Sequence, residues 1–177
     1  MSLSRPAIAL GALVVVGCAI AAGTSAANAS SITKPQPLAT VTVGKGFKTA
    51  EPTCYNDGKP LSDAQVKLCQ TKALSAASQG KLPSINVRSN DMVSVGLDET
   101  MAGHGWDAFT DGGDSSTTGS GQAVLSGWTR STTFSGQVRA TQVMSSSKAK
   151  TLLTVVSMDQ GNKAYGVWYY ELDNKSL

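Results

Sequence analysis

Leu152-Leu153-Thr154-Val155-Val156, then Asp159-Gln160-Gly161-Asn162, then Gly166-Val167-Trp168-Tyr169-Tyr170-Glu171-Leu172 read as a hairpin. β-Branched and aromatic side chains fill both arms, because such side chains pack well on a pleated surface. A four-residue turn holding three turn formers, Asp159, Gly161 and Asn162, separates them. Successive strand side chains face opposite ways, so Trp168, Tyr170 and Leu172 share one face and Val167, Tyr169 and Glu171 the other. One of these faces is expected to carry the core. The same alternation recurs upstream. Ala39 to Val43 alternates cleanly and is ended by Gly44 and Gly46; Ile85 and Val87 alternate before the turn Ser89-Asn90-Asp91. Val93, Val95 and Leu97 then line a face opposite Ser94 and Gly96. Ala123 to Thr129 and Thr132 to Val143 are further strand candidates.

One helix start stands out. After the turn formers Tyr55-Asn56-Asp57-Gly58-Lys59-Pro60, Ser62 has the place of an N-cap and Gln65 completes a capping box. Leu61 faces Val66 as a hydrophobic staple. Val66, Cys69 and Ala73 then share a face, and Gly80 and Pro83 stop the helix. Cys54 and Cys69 form a natural pair, and in an oxidising compartment they are expected to make a disulfide. A redox-active or metal-binding pair is the alternative, although the spacing is not Cys-x-x-Cys. The expected fold is mainly β: a single antiparallel β-sandwich over residues 38–173, loosely Ig-like, with one short peripheral helix and one disulfide. The inter-sheet cysteine pair of true Ig domains is absent, since Cys54 and Cys69 lie too close in sequence. Trp106, Trp128 and Trp168 are expected as core anchors; an exposed tryptophan would instead point to ligand or glycan binding. The Gly/Ser/Thr/Asp stretch from Asp111 to Gln122 reads as a mobile surface loop.

The start of the chain speaks of destination. Arg5 is the only charge before Lys34, Pro6 to Ala22 is apolar, and small residues end at Ala27-Asn28-Ala29. A basic start, an apolar middle and a small-x-small end meet the requirements of a secretory signal over 1–29. Leu13-Val14-Val15-Val16-Gly17-Cys18 also has the form of a bacterial lipobox, with a lipoprotein signal at 1–17 and diacylation at Cys18. Each buried methylene of such an anchor contributes about 0.8 kcal/mol to membrane residence. An uncleaved signal anchor is a third outcome. Residues 30–37 read as a tether. The expected location is therefore extracytoplasmic, on the outer face of the cell membrane or secreted. Net charge over the 177 residues is +3, and losing Arg5 with the signal lowers it further. That leaves no electrostatic basis for nucleic-acid binding.

Several of these residues resemble the actinobacterial exported proteins and lipoproteins of domain-of-unknown-function family 2771. The likeness runs through Ala39-Thr40-Val41-Thr42-Val43-Gly44, then Cys54-Tyr55-Asn56-Asp57-Gly58-Lys59-Pro60-Leu61 leading to Cys69. It continues through Val93-Ser94-Val95-Gly96-Leu97-Asp98 to Gly105-Trp106 and closes at Gly166-Val167-Trp168-Tyr169-Tyr170-Glu171-Leu172. The resemblance implies export, frequent lipidation and a compact β domain. It brings no activity and no catalytic residues.

Groups that would carry chemistry are sparse. His104 is the only imidazole, and no Gly-x-Ser-x-Gly elbow raises a serine. His104, between two glycines, reads as an exposed turn residue. A blue-copper site needs two histidines and a free cysteine. Asp111-Gly112-Gly113-Asp114 lacks the regular spacing of a calcium loop and reads as solvated. No catalytic, cofactor or metal residue is assigned. The expected function is a non-enzymatic binding or structural module of the cell envelope with an unidentified envelope or extracellular partner, held to the membrane if Cys18 is lipidated. A peptidase inhibitor of the chagasin type is the alternative. There a strand leads into a small-residue loop ending in tryptophan, as Asp98 to Trp106 follows Val93 to Leu97; the Asn-Pro start and the late Arg-Pro-Trp of that pattern are missing. A hydrolase using Asp or Ser without histidine is a third class.

Overall fold

The computed structural model describes residues 35–112 and 121–175. The signal, the lipobox with Cys18, tether residues 30–34 and loop residues 113–120 lie outside the described residues. The folded unit begins within the expected tether, since Gln36 already belongs to it and Pro37 is buried.

Two sheets face each other. Strands β1 (Ala39–Val43), β2 (Gly46–Ala50), β5 (Met92–Leu97) and β8 (Val138–Arg139) form an antiparallel four-stranded sheet in the order β2-β1-β5-β8. The six-stranded sheet contains β3 (Cys54–Tyr55), β4 (Ser84–Val87), β6 (Trp106–Thr110), β7 (Ala123–Thr129), β9 (Lys150–Met158) and β10 (Ala164–Asn174). Its order is β3-β10-β9-β6-β7, and β4 runs parallel to the end of β10. That ladder departs from the all-antiparallel expectation. Val41, Val43, Val93 and Val95 of the smaller sheet meet Trp106, Leu153, Val155, Trp168 and Leu172 of the larger in one core. Tyr170 spans the layers: its hydroxyl donates to the Ala39 carbonyl at 2.6 Å. Burial pushes that hydroxyl well above its ordinary pKa.

The closing hairpin is as expected, but β10 is buried on both faces. Trp168, Tyr170 and Leu172 face the smaller sheet, while Val167, Tyr169 and Glu171 are also under a tenth exposed. Helix α1 (Asp63–Ser78) explains this. It lies over the outer face of the larger sheet, where Cys69, Ala73 and the half-buried Val66 meet Val167 and Tyr169. Ser62 and Gln65 form the expected capping box, and Leu61 joins Val66 in the same cluster. The Cys54–Cys69 bond ties this helix to β3, which pairs with β10.

Three expectations about elements need correction. Helices α2 (Glu99–His104) and α3 (Ala140–Val143) accompany α1, so the sandwich carries more than one helix. The stretch from Thr132 to Val143 is mostly irregular, contributing an isolated bridge from Phe134 to Gly96, the short β8 and then α3. Its carbonyl at Thr132 instead accepts from the buried Trp106 indole at 2.6 Å. Strand β2 was not expected at all. It is an edge strand, almost wholly exposed, so its sequence is free of any buried-face pattern. A two-residue turn with Gly44 at φ +54° sets its pairing with β1.

Replacing both Cys54 and Cys69 by alanine is expected to lower stability by about 3 kcal/mol, the loop-closure value for a bridge of this span. Urea unfolding reads it; a loss below about 1 kcal/mol would show that the bridge does little to hold α1. At Gly166 an added Cβ would sit 2.6 Å from the Trp168 ring. Gly166→Ala is therefore expected to cost about 2 kcal/mol through overpacking, visible as an earlier urea midpoint.

Candidate functional site

The outer face of the larger sheet is only partly covered. Helix α1 shields β10 and the near side of β9, then stops short of β6 and β7. A groove of about 460 Å³ opens along this line, walled by Val66 and Leu74 of the helix and floored by Phe109, Leu152, Val156 and Tyr169. Leu74 is 55% exposed, so the helix presents an apolar rim as well as a packed face. Burial raises the pKa of the Tyr169 hydroxyl.

A second cavity, of about 400 Å³, lies on the same face. Register makes the two neighbours: Phe109 pairs with Thr154 and Asp107 with Val156, so same-face side chains lead from the groove to Asp107. Here β7 bulges. Trp106 pairs with Thr129 and Ala108 with Ser126, which leaves Gly127 and Trp128 opposite Asp107 alone. A bulge of this kind re-aims a side chain, and here it brings an indole beside a carboxylate.

Trp128 is 41% exposed, whereas Trp106 and Trp168 are fully buried. Two of the three expected core anchors are therefore in the core and the third is at the surface. Its indole is nevertheless held. The ring N–H donates to the Met158 carbonyl at 3.2 Å. A Cβ on Gly105, at φ +112°, would lie 2.6 Å from the ring, so only glycine allows the indole to seat there. The result is a fixed, partly exposed aromatic side chain.

Asp107 supplies the charge. Its Oδ1 is buried and has no hydrogen-bond partner. Burial lifts the carboxyl from an ordinary 3.8 to about 6, against a smaller opposing effect from its own backbone N–H. The other carboxylate of the cavity, Asp159, is committed to its turn. Its Oδ1 accepts from the Gly161 and Lys163 N–H groups at 2.9 and 3.0 Å, and its Oδ2 from the Tyr165 hydroxyl at 3.2 Å. Those bonds, the Lys163 one first, lower its pKa.

The residues singled out from sequence fall elsewhere. Cys54 and Cys69 are bonded, with Cα atoms 5.8 Å apart, and serve the scaffold. Cys18 lies outside the described residues. His104 is the half-buried last residue of α2, not an exposed turn residue. Its ring stacks on Tyr165, centroids 3.8 Å apart. Asp111 accepts from the Leu152 N–H and lies 3.7 Å from Lys148, while Asp114 is outside the described residues. Among the described residues no three His, Cys, Asp or Glu side chains converge as metal ligands. None of the described helices is long and apolar enough to cross a membrane. Asp107 and Tyr169 escaped sequence reasoning. The one available hint was Gly127, a glycine inside a strand pattern, which marks a bulge.

Compared with protein-family models, curated proteins and solved structures, the chain matches none.

Asp107 has a testable consequence for stability. Its folded pKa lies above the unfolded one, so between about pH 4 and 6 the folded state binds more protons. Stability should fall as pH rises through that window and level off above it. With the carboxyl partly screened by solvent, the contribution is about 1 kcal/mol. Thermal melts of Asp107→Asn should lose that part of the pH dependence; an unchanged profile would mean that Asp107 is not desolvated in solution.

Proposed function

We propose that this chain is an exported, lipid-anchored cell-envelope protein whose sandwich is a non-enzymatic binding module, with the outer face of the larger sheet as its binding surface. The observation that carries this is Trp128. An exposed indole costs water contact with apolar area, and here it is also pinned by a hydrogen bond and a glycine seat at the wall of a cavity. A preformed concave surface with few polar groups is the usual form of a ligand site. The signal-like start and the lipobox support export and anchoring at Cys18. The bridge Cys54–Cys69 suits an oxidising compartment. A peptidase inhibitor would need an open loop before its tryptophan. In this fold Glu99–His104 is helical and Trp106 is fully buried, so no observation favours that alternative.

Two measurements test the proposal. Intact-mass analysis of protein from its native membrane fraction should show a diacylated Cys18; a mature N-terminus at Ser30 would remove the anchor. Titrating isotope-labelled protein with a soluble envelope extract should shift resonances of Phe109, Trp128, Val156 and Tyr169. Shifts confined to the smaller sheet would overturn the assigned surface.

A further inference from the structure

The binding surface carries a more specific chemistry at its Trp128 end. We infer that the cavity between Trp128 and Asp107 is a site for an organic cation, an alkylammonium or guanidinium group lodged between the indole face and the Asp107 carboxylate. This deepens the binding-module proposal and rests on it.

Three observations lead there. The first is charge. The cavity is lined by Asp107, Trp128, Met158, Asp159, Gln160 and Asn162, two carboxylates with no basic side chain among them. Lys163, next along the turn from Asn162, meets Asp159 through its backbone N–H and its ammonium also acts on that carboxylate, which leaves Asp107 as the carboxylate with no cation beside it. The second is the bare Asp107 Oδ1, buried without a partner. An unpaired buried carboxylate oxygen is costly, and a positive charge in the adjoining cavity would offset that cost. The raised pKa of Asp107 has the same origin: burial without a compensating positive charge. The third is the aromatic surface. Indole is the best of the aromatic faces for a cation, and the Gly105 seat and Met158 carbonyl hold it in place before any ligand arrives.

The combination discriminates among ligands. A metal ion needs several inner oxygen or nitrogen donors, yet both Asp159 oxygens are occupied by its own turn, leaving Asp107 as the free carboxylate. An anion would face two negative charges. A neutral sugar would stack on the indole but leave the charge uncompensated. A weakly hydrated organic cation answers both the charge and the aromatic face. Such a group can come from a quaternary ammonium metabolite or from an arginine side chain of a peptide.

The test uses the full chain with its disulfide intact and ligand-observed NMR to measure binding. The probes are tetramethylammonium chloride, N-acetyl-arginine amide, maltotriose as a neutral sugar, and sodium chloride at matched ionic strength. At least one organic cation should bind saturably, with a Kd on the order of 1 mM, and shift the Trp128 indole N–H; sodium should do neither. Which cation binds assigns the quaternary-ammonium or the guanidinium source. Asp107→Asn, near-isosteric and expected to fold, should weaken cation binding by about tenfold or more. Trp128→Ala, at a surface position, should weaken it comparably, with melting curves confirming that both variants are folded. Failure of both cations to bind, or full retention of binding in either folded variant, overturns the cation site. If maltotriose alone binds and shifts Trp128, the cation is wrong and the binding face stands. If no probe and no envelope extract shifts that face, the binding-module proposal falls with it.

Discussion

The clamp of α1 onto the outer face of β10 is the constraint on which the rest of the architecture depends. Cys69 and Ala73 bury against Val167 and Tyr169, and the bond to Cys54 holds the helix to a strand paired with β10. This turns a two-layer sandwich into three layers over half of the larger sheet. Burying Val167 and Tyr169 stabilises the fold by about 1.5–3 kcal/mol per side chain, on top of the core on the other face. It also creates an edge. Where α1 ends its cover, the sheet is left with an apolar step, and that step is the groove.

Local irregularities add polarity to this apolar surface. The bulge in β7 costs a regular ladder at Asp107, and in return it turns Trp128 outward. Gly105 and the Met158 carbonyl then fix the indole, while Asp107 stays buried enough to lack a partner. Each of these is a small departure from ideal sheet geometry or full polar satisfaction. Their clustering at one end of one face is what separates a candidate site from ordinary surface, because strain and unsatisfied groups persist where the surrounding scaffold holds them. The His104–Tyr165 stack and the Tyr165–Asp159 bond brace the adjoining turn. The chain's one imidazole is thus engaged in structure beside that site.

The smaller sheet shows how pattern and burial diverge. Its inner residues Val41, Val43, Val93 and Val95 follow strict alternation because one face is in the core. Strand β2 has no buried face and hence no pattern to read, and the segment leading to β8 follows the contour of the sandwich instead of pairing along it. Side-chain periodicity records which face is buried, so it is blind to strands with no buried face and to irregular covers.

Local chemistry determined a good part of this protein. The capped start of α1, the strands β1, β5 and β7, the closing hairpin and the cysteine pairing all follow from interactions within a few residues or from a pair of thiols in an oxidising compartment. Tertiary structure decided what lies on top of what. Whether Tyr169 faces water or a helix, whether Trp128 joins Trp106 and Trp168 in the core, and whether Asp107 finds a partner depend on contacts between strands and helices far apart in the chain. A period-two pattern marks two faces and leaves their neighbours unnamed. A one-residue bulge, invisible to that pattern, is enough to turn a core tryptophan into a surface one.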